Sequence, residues 1–145
     1  MGRVYSRTEY HIVFSTSRRV AAIHDGIQTA LYDVLAKVVR SRGGRVHAIG
    51  GVEEHVHLDV EIPVSQSVSE MVRAIKSISS GWMRTEGGTP RFRWQRGYSV
   101  FTVSPSQRRK LCAYIDCQSE RHQAMSPIEE LKALHRKHDL ESPTR

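Results

Sequence analysis

The chain has 145 residues, enough for one compact domain with a core of its own and too few for two. Hydrophobic residues make up 39% and charged residues 26%, which excludes disordered and collagen-like classes, and no apolar run approaches the ~18 residues of a membrane span. Arg3, Glu9, Arg18 and Arg19 stand where a secretory signal needs an apolar stretch, and Cys112 and Cys117 lie about 140° apart on a predicted helix, out of bridging reach. The expectation is a cytoplasmic protein with reduced thiols and no membrane partner.

The first predicted element is a buried strand, Tyr10 to Ser15, ending in the basic turn Thr16-Ser17-Arg18-Arg19. Asp25 is the expected cap of a helix whose apolar positions Ile27, Leu31, Val34, Leu35 and Val38 recur at helical spacing until Gly43-Gly44 stops it. Arg45 to Gly50 and His55 to Ile62 read as two antiparallel strands joined by a short connection. From Ser67, a second amphipathic stripe of Val68, Met71, Val72, Ile75, Ile78 and Trp82 runs to Gly87-Gly88. Phe92 to Val103 suits a strand kinked at Gly97. Ser104-Pro105-Ser106-Gln107 and Ser126-Pro127-Ile128-Glu129 each have the Ser, Pro and Gln or Glu spacing of a helix start. They predict a third helix from Pro105 to Gln123 and a short fourth one.

The order is β-α-β-β-α-β followed by helices. It predicts an α+β, ferredoxin-like antiparallel sheet with helices on one face and a C-terminal helix carrying Tyr114. A single domain over residues 1–145 is expected, with a flexible tail over 139–145.

The net charge of +7 is spread unevenly: +5 over residues 1–52, −4 over 53–69, +7 over 70–110 and −1 over 111–145. Two basic blocks around an acidic one suit a polyanion, with carboxylates gathered near a cation site, the alternative being ordinary solvated faces.

Along His55-Val56-His57-Leu58-Asp59-Val60-Glu61-Ile62, the strand period of two turns the aliphatic residues to the core and His55, His57, Asp59 and Glu61 to an exposed ridge. Two imidazoles at i and i+2 can aim at one cation that needs one or two more ligands, and a solvated polar face is the plain alternative. Tyr114 and Gln118, at i and i+4, share one face of the third helix beside the core contacts Leu111 and Ile115. A tyrosine nucleophile must lose a proton of pKa about 10, which a nearby cation favours, and a glutamine offers an amide oxygen to a hard metal. His11, among apolar neighbours, reads as structural, and His122, His135 and His138 as helix-surface residues without chemistry.

Glu54-His55-Val56-His57-Leu58, Phe92-Arg93-Trp94-Gln95-Arg96-Gly97-Tyr98 with Phe101 and Ser104-Pro105-Ser106-Gln107, and Tyr114-Ile115-Asp116-Cys117-Gln118 together resemble the small single-tyrosine HUH transposases of bacterial insertion sequences, the IS200-like family. Tyr10 to Thr16 followed by Arg18-Arg19 is similar too, so the resemblance covers nearly the whole chain. It departs from the family at Asp116-Cys117 and at Glu53-Glu54, neither expected to touch a reacting group.

The resemblance implies that His55, His57 and Gln118 hold Mg²⁺ or Mn²⁺ and that Tyr114 attacks DNA to give a 5′-phosphotyrosyl link. It also implies single-stranded DNA with hairpin ends as substrate and a homodimer in which one chain's tyrosine helix can complete the partner's site. Arg91, Arg93 and Arg96, interleaved with Phe92, Trp94 and Tyr98, are the expected DNA surface, with Arg18 and Arg19 as further phosphate contacts. Two rivals are a noncatalytic single-stranded nucleic-acid-binding module, which would display aromatics on its sheet, and a metal-dependent hydrolase using water, which would leave no covalent adduct.

Overall fold

A computed structural model describes residues 2–118 and 125–141. The predicted first strand forms as β1, Glu9–Ser15, and α1 follows over Asp25–Ser41. His24, not Asp25, holds the capping position, and Asp25 lies in the first turn, where its charge favours the helix N-terminus. Gly43, at φ 81°, ends this segment. β2 (Arg45–Val52) and β3 (His55–Glu61) pair antiparallel, with a bulge between Val46 and Ala48. α2 spans Val68–Thr85, opened by Ser67, whose side chain accepts from the Glu70 amide.

The predicted strand from Phe92 to Val103 is regular only over β4, Ser99–Thr102. Residues 92–98 wrap the end of β1 instead, bridging Thr16 at Trp94 and turning at Gly97, where φ is 80°. The third helix opens with a short 3-10 turn, Pro105–Gln107, without the expected side-chain cap, because the Ser104 hydroxyl meets that of Ser106. α3 then covers Arg108–Asp116; the end of the predicted helix falls on residues 119–124, His122 among them, which lie outside the described residues, as does 142–145 of the tail. The last helix, α4, is Pro127–Lys137, and its capping box is complete.

The sheet order is β2-β3-β1-β4, all neighbours antiparallel, as the β-α-β-β-α-β reading requires. One face carries Ile12, Phe14, Val56, Leu58 and Val60, buried against Leu31, Leu35 and Val39 of α1 and Met71, Val72 and Ile75 of α2. Each such aliphatic side chain contributes about 1.5–3 kcal/mol by leaving water. The α2 stripe includes Met83 at its end, while Ile78, predicted to be inside, is exposed.

The opposite face departs from expectation. His57 and Asp59 are 1% and 0% exposed, so the polar ridge is not solvated. α3 packs on β2 and β3 over this face, and α4 reaches it through Glu130. Helices therefore cover both faces, the C-terminal pair enclosing the histidines.

Candidate active site

β3 presents His55 and His57 side by side, their rings 5.1 Å apart between centroids. His57 is held from β1, where His11 Nε2 stands 2.8 Å from His57 Nδ1 and the two rings stack at 5.0 Å. Burial, and the proximity of His57, hold His11 well below the usual imidazole range. A neutral His11 accepts a hydrogen bond from His57 Nδ1–H, which fixes the ring with its Nε2 edge toward Glu130. His11 is thus structural in a sense its apolar neighbours in sequence did not reveal.

His55 is oriented by Glu54, whose carboxylate lies 3.5 Å from its Nδ1. Arg19 reaches the same carboxylate at 3.3 Å. The His55 hydrogen bond and the charges of His55 and Arg19 outweigh burial and hold the Glu54 carboxyl below its ordinary range. Glu54 therefore touches the site, contrary to the sequence expectation. Arg18 and Arg19 both adopt positive φ, 56° and 54°, and a strained turn of this kind costs about 1–3 kcal/mol per residue. It directs Arg19 inward to Glu54, while Arg18 points to solvent.

Just past α3, the Gln118 amide oxygen lies 3.3 Å from His55 Nε2, and the residue is buried. The Tyr114 ring stands edge-on to His57 at 5.7 Å, and its hydroxyl donates to Glu130 Oε1. That same oxygen is 2.9 Å from His57 Nε2. Tyr114, Gln118 and both histidines thus meet within one chain, as the sequence predicted for the set but could not for its geometry. Glu130 was missed: the capping signature at Ser126 located its helix, and no periodicity tells which way the first turn faces.

The donors suit a cation. His55, His57 and Glu130 each offer a ligand atom within 4.8 Å of the others, around a void of about 20 Å³. That is room for about one water-sized occupant. Imidazole, amide and carboxylate donors together accept a borderline or hard divalent ion.

Toward the other end of the same face, Arg108 binds Glu9 with two nitrogens at 2.6 and 3.0 Å. Burial raises the Glu9 carboxyl, yet the Arg108 fork leaves it below the ordinary range. Asp59 is pushed up to about 8 by burial and by the hydrogen bond and charge of Glu9, so it holds a proton at neutral pH. Cys112 lies 3.6 Å from Asp59, and burial raises its thiol to about 11; like Cys117 it is unbridged.

Residues 4–118 match the sequence model of the family described as Transposase IS200 like. The chain belongs to the IS200-like transposase family. It is 26% identical over 129 residues to the ISDra2 transposase TnpA of Deinococcus radiodurans, covering 83% of this chain and 89% of that protein. It is 30% identical to the transposase for insertion sequence element IS200 of Salmonella typhimurium, covering 77% of each. Among solved structures it is similar to a Deinococcus radiodurans R1 protein described as a transposase, with a TM-score of 0.63, 25% identity and coverage of 79% and 94%. It also shares the fold of a REP-associated tyrosine transposase bound to a REP hairpin, with a TM-score of 0.64, 19% identity and coverage of 86% and 74%. The protein is a DNA-binding transposase, and the family implies DNA cleavage and strand transfer.

In this transposase Arg91, Arg93 and Arg96 are exposed along the 91–98 segment. Trp94 turns inward: its ring packs edge-on against Phe14 and Phe92, each at 4.8 Å, and its indole nitrogen donates to Ser79 at 2.8 Å. Lys76 fastens the same segment from α2 by donating to the carbonyls of Gln95 and Gly97. His135 and His138, expected on the surface, lie against Phe101 of β4, His138 stacked at 4.5 Å, and His135 meets the Ser99 hydroxyl at 2.9 Å. Among the described residues no helix is long and apolar enough to cross a membrane.

Proposed function

We propose that this transposase cleaves and rejoins single-stranded DNA at insertion-sequence ends, with Tyr114 as nucleophile and Mg²⁺ or Mn²⁺ held by His55, His57 and Gln118. The observation that carries the reading is the meeting of the Tyr114 hydroxyl and His57 Nε2 at one carboxylate oxygen of their own chain. A cation held by these residues would supply positive charge against the scissile phosphate.

The protein's part is placement and charge, which phosphoryl transfer chiefly needs. His11 and Glu54 fix the ring orientations of His57 and His55. Tyr114 Oη forms a bond to phosphorus as the bond from phosphorus to the 3′ oxygen breaks, releasing a 3′-hydroxyl. The 5′-phosphotyrosyl link conserves the phosphodiester energy, and attack by a second 3′-hydroxyl rejoins the strands without a nucleotide cofactor.

Hairpin-ended single strands are the proposed substrate, supported by the likeness to a transposase bound to a REP hairpin. Arg18, Arg91, Arg93 and Arg96 are the proposed phosphate contacts, with Arg19 and Trp94 setting the shape behind them. A homodimer, the proposed assembly, would place two such sites on two DNA ends. A noncatalytic module that stacks bases on its sheet is disfavoured, because α3 and α4 cover the sheet face opposite the core.

The test incubates a labelled single-stranded element end with Mg²⁺ and protein and separates the products in denaturant. Wild type is expected to give a protein–DNA adduct and Tyr114→Phe none, with DNA affinity within about threefold of wild type. Cleavage without an adduct at any time would replace this reading with a water-using hydrolase.

A further inference from the structure

Glu130 lies beyond residue 118, where the match to the family ends, yet it sits at the centre of the site. Its Oε1 accepts from the Tyr114 hydroxyl and lies 2.9 Å from His57 Nε2, across the ring from the Nδ1 that meets His11. The residue is 3% exposed.

Its position is built rather than incidental. Ser126 and Glu129 close a capping box, and Pro127 stands at the start of α4, so the first turn that carries Glu130 is set by several local constraints. The far end of α4 is pinned to β4 by His135 and His138 on Ser99 and Phe101.

Resting on the metal-dependent reading above, we propose that Glu130 is itself a ligand of the cation, a carboxylate supplied by α4, and that the same oxygen keeps the Tyr114 hydroxyl at the metal site. The set His55, His57 and Gln118 is neutral. Addition of one carboxylate makes it anionic, and ligand charge count is a main determinant of divalent-ion affinity. A cation among these atoms also offsets the cost of burying the carboxylate. The nucleophile and the metal are thereby tied to one side chain, so the placement of α4 couples the two.

The test measures Mn²⁺ binding in the absence of DNA, by the paramagnetic resonance signal of free Mn²⁺, for the full chain and its variants. Glu130→Gln, which keeps shape and removes charge, is expected to lose about tenfold or more in Mn²⁺ affinity. His57→Ala is expected to lose nearly all binding. Glu130→Gln binding Mn²⁺ as wild type does, while His57→Ala does not, would overturn the ligand role and leave the metal site intact. Unchanged binding in His57→Ala would instead overturn the metal reading itself. If Glu130→Gln does not fold, Glu130→Asp serves in its place, with an expected loss of at least about threefold, and unchanged affinity overturns the proposal.

Discussion

Ile115 of α3 rests directly on Gly50 of β2: a β-carbon at position 50 would overlap the Ile115 carbonyl oxygen and come 2.8 Å from its Cγ2. Gly50 pairs with His57 across the β2–β3 ladder. This close approach sets the height of α3 over the histidines, and with it the reach of Tyr114 and Gln118.

Gly50→Ala is accordingly expected to lift α3 and cost roughly 1–3 kcal/mol, the usual range for forcing extra atoms into a packed contact. Urea denaturation measures the loss, and the covalent DNA adduct should fall with it. Wild-type stability and adduct yield together would show that α3 does not depend on this contact.

His11→Phe keeps a ring beside Phe101 and removes the partner of His57 Nδ1. Loss of such an outer contact costs metal sites about 10–100-fold in affinity. Mn²⁺ titration of the variant checks this, with circular dichroism to show that the sheet is intact.

The Asp59 carboxyl, raised to about 8 from an ordinary 3.8, predicts a pH effect on stability. Between these values the folded chain keeps a proton that the unfolded chain has released, so this contribution, complete below the lower value, is lost as pH rises through the higher one. The slope is at most about 1.4 kcal/mol per pH unit, because Glu9 and Arg108 share the titration. Asp59→Asn does not titrate and should gain on wild type from pH 5 to pH 8 in denaturation curves; parallel curves would refute the protonated Asp59.

Replacing Arg91, Arg93 and Arg96 together by Gln should weaken single-stranded DNA binding and flatten its dependence on salt between about 50 and 200 mM. These side chains are exposed, so the melting temperature should hardly change. A salt slope equal to that of wild type would place the phosphate contacts elsewhere.

Much of the fold was legible because it rests on short-range rules. Period two along β3 placed Val56, Leu58 and Val60 in the core and both histidines on the other face, and helical spacing put Tyr114 and Gln118 on one face. Where the reading failed, a distant contact had overruled a local pattern. Residues 92–98 alternate as a strand should, but Lys76 from α2, Ser15 at the end of β1 and Ser17 just beyond it take up their backbone groups. Trp94 looked like a base-stacking residue and instead fills the space between Phe14 and Phe92.

Sequence by itself determined the order of the elements, the face on which His55 and His57 stand, the pairing of Tyr114 with Gln118 and the family to which they belong. Each follows from backbone periodicity or from residues close together in the chain. Only the tertiary structure decided that this face is buried, that His11 and Glu54 orient the two imidazoles, and that Glu130 joins Tyr114 to His57. Those outcomes depend on how closely two surfaces far apart in the chain can approach, and at Gly50 that distance is set by a missing side chain, which leaves no period to read.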